Sequence, residues 1–430
     1  MPATDFSKVK SALKSALSQK EVNQLGIKSG QSQRVRVVTP YRLFLAVVGA
    51  LAGSKVESLA DLLREFNFQN KTSTAYKAFY NRLDRPGFAE FMRQMLCRLL
   101  DALTLRILEP ECGSILSIFE DIVIQDGSSF ALKDVLARVF PGRFTTAEPA
   151  AVELHATFSG FEDNVASVAL MPDKEAERWC LPDPWELLNK LLLADRGYAS
   201  VKYFHDLCRA GASFIVRLTR SYDPWVLTVF VNGKPQPLPK PIKLKAFFSQ
   251  YQGCAADLDV EFRRGKKRYL FRVILLPGKE KWMTRLCTNL DRRKFPLELV
   301  AKLYRFRWQV ELCFKEWKSY ANLHSCDTGN EHIAEGLIWA SLCAAILKRF
   351  LAHATQIVGG VPMSTRRVAM CAHHVIGPLF AALLCGSPHR LAAELNRALK
   401  FFLDNARRVH PERDRKTGRL WAGLAVVGVP

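Results

Sequence analysis

The sequence predicts an α/β fold: a mixed sheet flanked by helices, with a mainly β insertion and helical regions at both ends. Three observations predict it. Residues 115–220 carry short alternating or β-branched segments broken by one helix-forming stretch. Residues 221–290 contain clustered prolines and a hairpin signal. The segments before 112 and after 297 repeat apolar residues at helical spacing.

The elements follow in order. Residues 1–112 read as a helical region suited to DNA binding or to a plain bundle. "YRLFLAVVGAL" is helical, "SLAD" offers Ser58 as a cap with Asp61 three residues on, and "STAYKAFYNRL" starts at Ser73 or Thr74. That last helix carries Tyr76, Lys77, Tyr80 and Arg82. From 115, "SIFEDIVIQDGSSFAL" contains a strand from the β-branched run Ile122 to Ile124 that ends at Asp126-Gly127, and "VELHATFSGF" and "VASVALMP" are two more strands. "LLLADRGYAS" is a strand ending at Asp195, "VKYFHDLCRAG" a helix and "SFIVRLT" a further strand. This order matches a ribonuclease H-like core, with 115–220 as its first part and 291–350 as its second. The 221–290 insertion contains the hairpin "LDVEF", "RRGKKR", "YLFRVILL" and closes on the strand "WMTRLCTNL". Residues 351–430 form a helical C-terminal region. The tail from Arg407 to Arg419 has six basic and two acidic residues, solvated or in contact with DNA.

The 430 residues carry a formal net charge of +21. So large an excess points to a polyanionic partner, most simply nucleic acid. An anionic membrane surface fits less well, because the basic residues are spread along the chain. No apolar run has the look of a signal peptide, and "GLIWASLCAAIL" is too short to cross a bilayer. Eleven cysteines without a C-x-x-C pair read as reduced thiols. A soluble cytoplasmic protein is the expectation. Cys371, His374, Cys385 and His389 have zinc-like donor types, but their mostly apolar surroundings read as packed thiols with incidental histidines.

The segment "YRFRWQVELCFKEWKSY", Tyr304 to Tyr320, mixes six aromatics with many charges. Taken as one helix from Tyr304, it puts Arg307 at about 300°, Glu311 at about 340°, Lys315 at about 20° and Lys318 at about 320°. An apolar arc lies beside this stripe, and Arg305, Gln309 and Glu316 point toward solvent. Glu311 alone could be simple pairing with Arg307 and Lys315. Asp126 and Asp195 each end a predicted strand, and each alone could be a turn residue. Together the three carboxylates are hard oxygen donors suited to Mg²⁺ or Mn²⁺. Two such ions could hold the attacking and leaving oxygens of a phosphoryl transfer, while the neighbouring cations hold a DNA backbone.

Tyr304, Arg307, Glu311 and Lys318 stand as Y-x2-R-x3-E-x6-K. This resembles the signature of DDE transposases of the insertion-sequence-four family, and the segments around Asp126 and Asp195 resemble that family's two aspartate segments. The likeness covers about residues 115–350. It implies a ribonuclease H-like core with Asp126, Asp195 and Glu311 as catalytic metal ligands for two Mg²⁺ ions, Mn²⁺ substituting. It implies that Tyr304, Arg307, Lys315 and Lys318 lie along DNA. Partners would be the element's terminal inverted repeats and target DNA, with a homodimer in the synaptic complex, in a bacterial-type cell. Cut-and-paste movement would proceed by hydrolysis at the element ends, a hairpin and 3′-OH attack on target DNA. Trp282, on the last insertion strand, is the candidate to hold a flipped base, or else a half-buried strand residue. A catalytically silent DNA-binding descendant, or a nuclease without strand transfer, are the alternatives.

Overall fold

The structure, a computed structural model, describes residues 3–33, 36–53, 55–231, 234–250, 255–278, 283–323, 328–410 and 423–427. It begins with α1 (Ala3–Ala16), α2 (Gln19–Lys28), α3 (Pro40–Gly53), α4 (Leu59–Asn70), α5 (Tyr76–Leu83) and α6 (Pro86–Leu103). α3 is apolar all round and almost wholly buried, as a central helix must be. α4 starts where Ser58 and Asp61 predict, with both capping-box contacts formed. α5 starts later than expected. Ala75 is its cap, and neither Ser73 nor Thr74 serves, because Asn67 already engages the Thr74 amide and carbonyl.

A short strand, β1 (Leu108–Pro110), precedes the sheet strands β2 (Ile122–Ala131), β3 (Pro141–Phe144), β4 (Glu148–Ser159), β5 (Asn164–Pro172) and β6 (Leu191–Ala194). After α7 (Val201–Arg209) come β7 (Ser213–Arg217), β8 (Trp225–Val231), β9 (Lys234–Lys243), α8 (Leu244–Gln250), β10 (Ala256–Arg264), β11 (Lys267–Pro277) and β12 (Met283–Thr288). The spatial order is β5-β4-β2-β6-β7-β12-β11-β10-β8-β9, with β3 against the start of β4. β2, β6 and β7 run parallel, and β4 is antiparallel to β2. The predicted hairpin is β10–β11. The 221–290 region does not form a sheet of its own, because β12 pairs with β7 and extends the same sheet. Its alternating prolines, Pro235 to Pro241, lie on β9 at the sheet edge, where missing N–H donors are tolerated.

Side-chain alternation divides the sheet into two faces. Ile122, Ile124, Leu191, Leu193 and Ile215 pack with the large helical body. Val123, Leu192, Ala194, Phe214 and Val216 pack under α7 and α8 with Phe204 and Phe247. The first face receives α9 (Leu297–Tyr304), a 3₁₀ turn at Arg305–Arg307 and α10 (Trp308–Tyr320). Behind them runs α11 (Glu331–Gly359), followed by α12 (Thr365–Cys371), α13 (His373–Cys385), α14 (Pro388–Asn405) and β13 (Leu424–Val426), which pairs with β1. The boundary expected at 350 therefore falls inside α11. That helix has 29 residues, so it is long and apolar enough to span a bilayer, but 94% of its most apolar window is buried within the protein. It is the axis of the helical body. Positions 411–419 of the basic tail lie outside the described residues.

The face assigned to solvent on the signature helix is partly buried. Glu316 accepts from Arg349 Nη1 at 2.8 Å and lies near Thr365, and Gln309 is buried. Arg349 also reaches Asp163 at 3.0 Å, and the Glu316 and Arg349 side chains are only 13% and 6% exposed. Breaking a buried pair leaves an uncompensated charge. Glu316→Ala should therefore lower unfolding stability by about 3 kcal/mol, while Lys315→Ala, on the exposed side, should change it by less than about 0.5 kcal/mol. Urea melts of the two variants read this difference, and equal effects would mean that Arg349 does not need Glu316.

Candidate active site

Strand register brings the two aspartates together. The parallel ladder between β2 and β6 ends at Gln125↔Ala194, so Asp126 and Asp195 are the next residues on neighbouring strands. Asp126 shares the parity of Ile122 and Ile124, and Asp195 that of Leu191 and Leu193. Both therefore leave the sheet on the face that receives α9 and α10. Asp126 is not a strand end, as expected from its Asp-Gly step. β2 continues to Ala131, paired with β4 throughout, and only its pairing with β6 stops.

The glycines after each aspartate have packing reasons. A Cβ at Gly127 would stand 2.5 Å from Glu153 Oε1, and one at Gly197 would stand 1.5 Å from Glu177 Oε2. At both sites the missing side chain leaves room for the carboxylate end of an acidic side chain.

The signature segment is not one continuous helix. The three-residue 3₁₀ turn Arg305–Arg307 separates α9 from α10. Such a turn advances about 120° per residue, so residues after it are rotated by about 60° from the simple wheel. Tyr304, Arg307, Lys318 and Glu311 then share an arc of about 40°, Lys315 moves out to about 80°, and Gln309 and Glu316 join the flank of the buried arc near 180–200°. The contacts agree. Arg307 pairs with Asp126 through Nη1 and donates to Glu311 Oε1 from Nη2 at 2.7 Å. Tyr304 OH donates to Asp195 Oδ1 at 3.2 Å, and Arg217 Nη1 lies 3.6 Å from the same oxygen. Lys318 Nζ donates to the Ser129 carbonyl at 2.8 Å on the extension of β2. Lys315 is exposed, stands 5.5 Å over the Trp308 ring and lines a different cleft with Glu316. Trp282 lies outside the described residues.

A cleft of about 860 Å³ opens over the aspartates. Its walls carry Arg196, Arg217, Arg220 and Arg285, and Glu153 and Glu177 at its acidic end. None of these was singled out from the sequence. The arginines of "VRLTRS" carried a usable signal, since they follow a strand at the same end as Asp195. Glu153, in the apolar strand "VELHATF", carried a weaker one. Arg143 Nη2 lies 3.3 Å from Glu153 and 3.9 Å from Glu177, and His155 Nδ1 is 2.7 Å from Tyr198 OH.

Burial pushes the Asp126 carboxyl up to about 7. Arg307 and the Gly127 amide oppose this, and the Asp195 and Glu311 charges add to it. Burial likewise raises Glu153 to about 7, with Glu177 adding repulsion, and holds His155 down to about 4 and so neutral at pH 7. Among the described residues, no three acidic, histidine or cysteine side chains close on one point as a ready-made cage. The donor set nevertheless fits a divalent ion. It is all hard carboxylate oxygen, gathered on one face, and the Arg307 guanidinium already supplies a cation between Asp126 and Glu311.

The transposase DDE domain family matches residues 119–347. The chain is similar to the transposase for insertion sequence element IS231F of Bacillus thuringiensis subsp. israelensis, 24% identical over 273 residues, 55% of this chain and 57% of that protein. It is 20% identical to the IS231B transposase of B. thuringiensis subsp. berliner over 76% of each chain. A short segment of 62 residues, 14% of this chain and 17% of the other, is 40% identical to the IS421 transposase of Escherichia coli. The alignments thus span 57% of the first of these relatives and 76% of the second. A piggyBac transposase synaptic complex with hairpin DNA aligns over 90% of this chain and 84% of its own, at a TM-score of 0.45 and 10% identity.

The raised Asp126 carboxyl has a consequence for metal-free protein. An ordinary aspartate releases its proton near pH 4, but folded Asp126 keeps its proton up to about 7. Between those values the unfolded chain binds fewer protons, so stability falls as pH rises. Asp126→Asn should lose less stability between pH 5 and pH 7 than the parent, read by thermal melts in chelator. Equal losses would mean that Asp126 ionises like a solvated aspartate.

Proposed function

Because the chain belongs to the transposase DDE domain family, we propose that it moves an insertion sequence by metal-dependent phosphoryl transfer on DNA. The observation that carries the proposal is that Arg307 joins Asp126 to Glu311, while Asp126 and Asp195, from neighbouring strands, line a cleft walled by arginines. Y-x2-R-x3-E-x6-K at Tyr304, Arg307, Glu311 and Lys318 supports the insertion-sequence-four type. The strand order β5-β4-β2-β6-β7, with β4 antiparallel, supports a ribonuclease H-like core over 115–220 and 291–350, with 221–290 as its insertion.

Asp126, Asp195 and Glu311 would hold the ions, two Mg²⁺ in this reading. A bound divalent ion supplies Lewis acidity at a phosphate oxygen and lowers the pKa of an attacking water. The residues of the chain do the rest. Tyr304 and Arg217 orient the Asp195 carboxylate. Arg307 balances the acidic site before metal and DNA arrive, and then offers its guanidinium to a phosphate. Arg196, Arg220 and Arg285 line the path of the backbone, and Lys318 extends it along β2. Hydrolysis at the element ends, a hairpin step and 3′-OH attack on target DNA are the proposed sequence, carried out by a homodimer on the terminal inverted repeats. Cytoplasmic action on chromosomal or plasmid DNA follows from that substrate.

Asp195→Asn and Glu311→Gln should each abolish cleavage of element-end DNA in Mg²⁺, because an amide is a poor ligand for a hard cation. Both should keep duplex binding. The measurement is strand cleavage on a labelled end fragment, with binding followed in parallel. Cleavage near the parent rate by either variant would remove that carboxylate from the site. Parent protein that binds end DNA but never cuts it would mark a silent descendant.

A further inference from the structure

A second strongly basic cleft, of about 870 Å³, lies in the N-terminal helical body and shares no lining residue with the catalytic cleft. Arg36, Arg82 and Arg85 line it, together with Thr74, Ala75 and Ala78. Among the described residues no carboxylate pairs with any of the three arginines. The nearest acid in sequence, Asp84, is bonded to Asn330 at 2.6 Å. The three cations therefore repel one another without compensation. Burial and the neighbouring Arg85 and Arg36 charges hold the Arg82 guanidinium below its ordinary value. A fold keeps such a cluster most readily where an anion completes it.

Both walls of this cleft are built. On one side, Asn67 organises the Thr72–Thr74 turn, accepting from Thr72 Oγ1 at 3.0 Å and from the Thr74 amide at 2.9 Å. On the other, the buried Gln31 side chain donates to the Arg82 carbonyl at 2.8 Å. Gly87 packs so closely on the Gly30–Gln31 backbone that a Cβ would stand 2.5 Å from Gly30 C. The arginine stems thus rise from fixed backbone. Between them, the exposed Ala75 and Ala78 of the α5 edge leave room for a bulky ligand to approach.

We propose that this cleft grips the phosphodiester backbone of duplex DNA, as a contact separate from the catalytic cleft. The proposal rests on reading the chain as a DNA-acting enzyme. Planar guanidinium forks match phosphate oxygens, and a cleft with three of them and no acid suits a repeating anion better than a single acidic side chain. The contact is backbone-directed and so independent of base sequence.

The test is the salt dependence of binding to a labelled duplex of mixed sequence, by fluorescence anisotropy. Each lost phosphate contact lowers the log–log slope by about 0.9. The triple variant R36A/R82A/R85A should therefore lower it by about two to three. The control R64A/R93A/R397A removes the same net charge from arginines already paired with Asp61, Glu90 and Glu394, and should leave the slope near the parent value. A charge-keeping R36K/R82K/R85K variant should recover most of the slope, which separates lost contacts from lost fold. Equal slopes for the triple variant and the control would overturn the site while leaving the enzyme reading intact. Parent protein that binds no duplex DNA would overturn the enzyme reading, and the site with it.

Discussion

The Arg307 guanidinium is the contact on which the arrangement of the site depends. It is only 13% exposed and joins Asp126, on the sheet, to Glu311, on the helix above it. Without it, buried carboxylates from different elements would face one another uncompensated, an arrangement that costs several kcal/mol per ion. The contact forms only if two separate conditions hold. The β2–β6 register must place Asp126 beside Asp195, and the turn at 305–307 must rotate α10 so that Arg307 and Glu311 come round together to the stripe of Tyr304. A register slip of one residue would send both aspartates to the α7 face. A continuous α-helix would keep Arg307, Glu311 and Lys318 on one stripe but swing all three by about 60° relative to Tyr304 and the aspartates.

The same constraint explains the glycines and the buried acids around the site. Glu153 and Glu177 approach through the missing side chains of Gly127 and Gly197, and Arg143 serves them with Asp173 at 3.8 Å. Arg143 faces three acids there, and burial raises the Glu153 and Glu177 carboxyls above their ordinary values. The acidic end of the cleft is therefore held in place by packing and by the neutral His155–Tyr198 contact as much as by charge.

Much of this was legible in the sequence. Periodicity located β2, β4, β5, β6, α7 and β7, the β10–β11 hairpin, and the carboxylates that converge. Spacing alone placed Tyr304, Arg307, Glu311 and Lys318 on one stripe. What escaped has specific causes. A uniform wheel contains no 3₁₀ turn, so it keeps Lys315 in the stripe and turns Gln309 and Glu316 outward. Burial of Glu316 depends on Arg349 and Asp163, residues 33 and 153 positions away, and no local pattern announces such a pair. The Asp-Gly step of β2 resembled a turn because the pairing that continues it lies on β4. Extension of the core sheet by β12 depends on long-range pairing, which composition cannot distinguish from a separate β unit.

The signature helix faces two ways, and that is how its active-site edge is fixed. Glu311 and Glu316 are five residues apart in α10, so they diverge by about 140° around its axis. Each is held by an arginine from a different place: Arg307 at the helix entrance and Arg349 on the long helix behind. Gripped at one edge only, a helix can still roll about its axis, carrying a side chain some ångströms for a modest rotation. Gripped at both edges, with Val310, Cys313, Phe314 and Trp317 buried between, it has no free rotation left. Asp163 extends the rear grip to the turn between β4 and β5, so the strand that flanks β2 and the helix that carries Glu311 are tied through Arg349 as well as through Arg307. The aromatics and charges that looked incompatible in one segment are thus divided. The apolar arc seats the helix, the rear charge sets its rotation, and the front charge meets the aspartates.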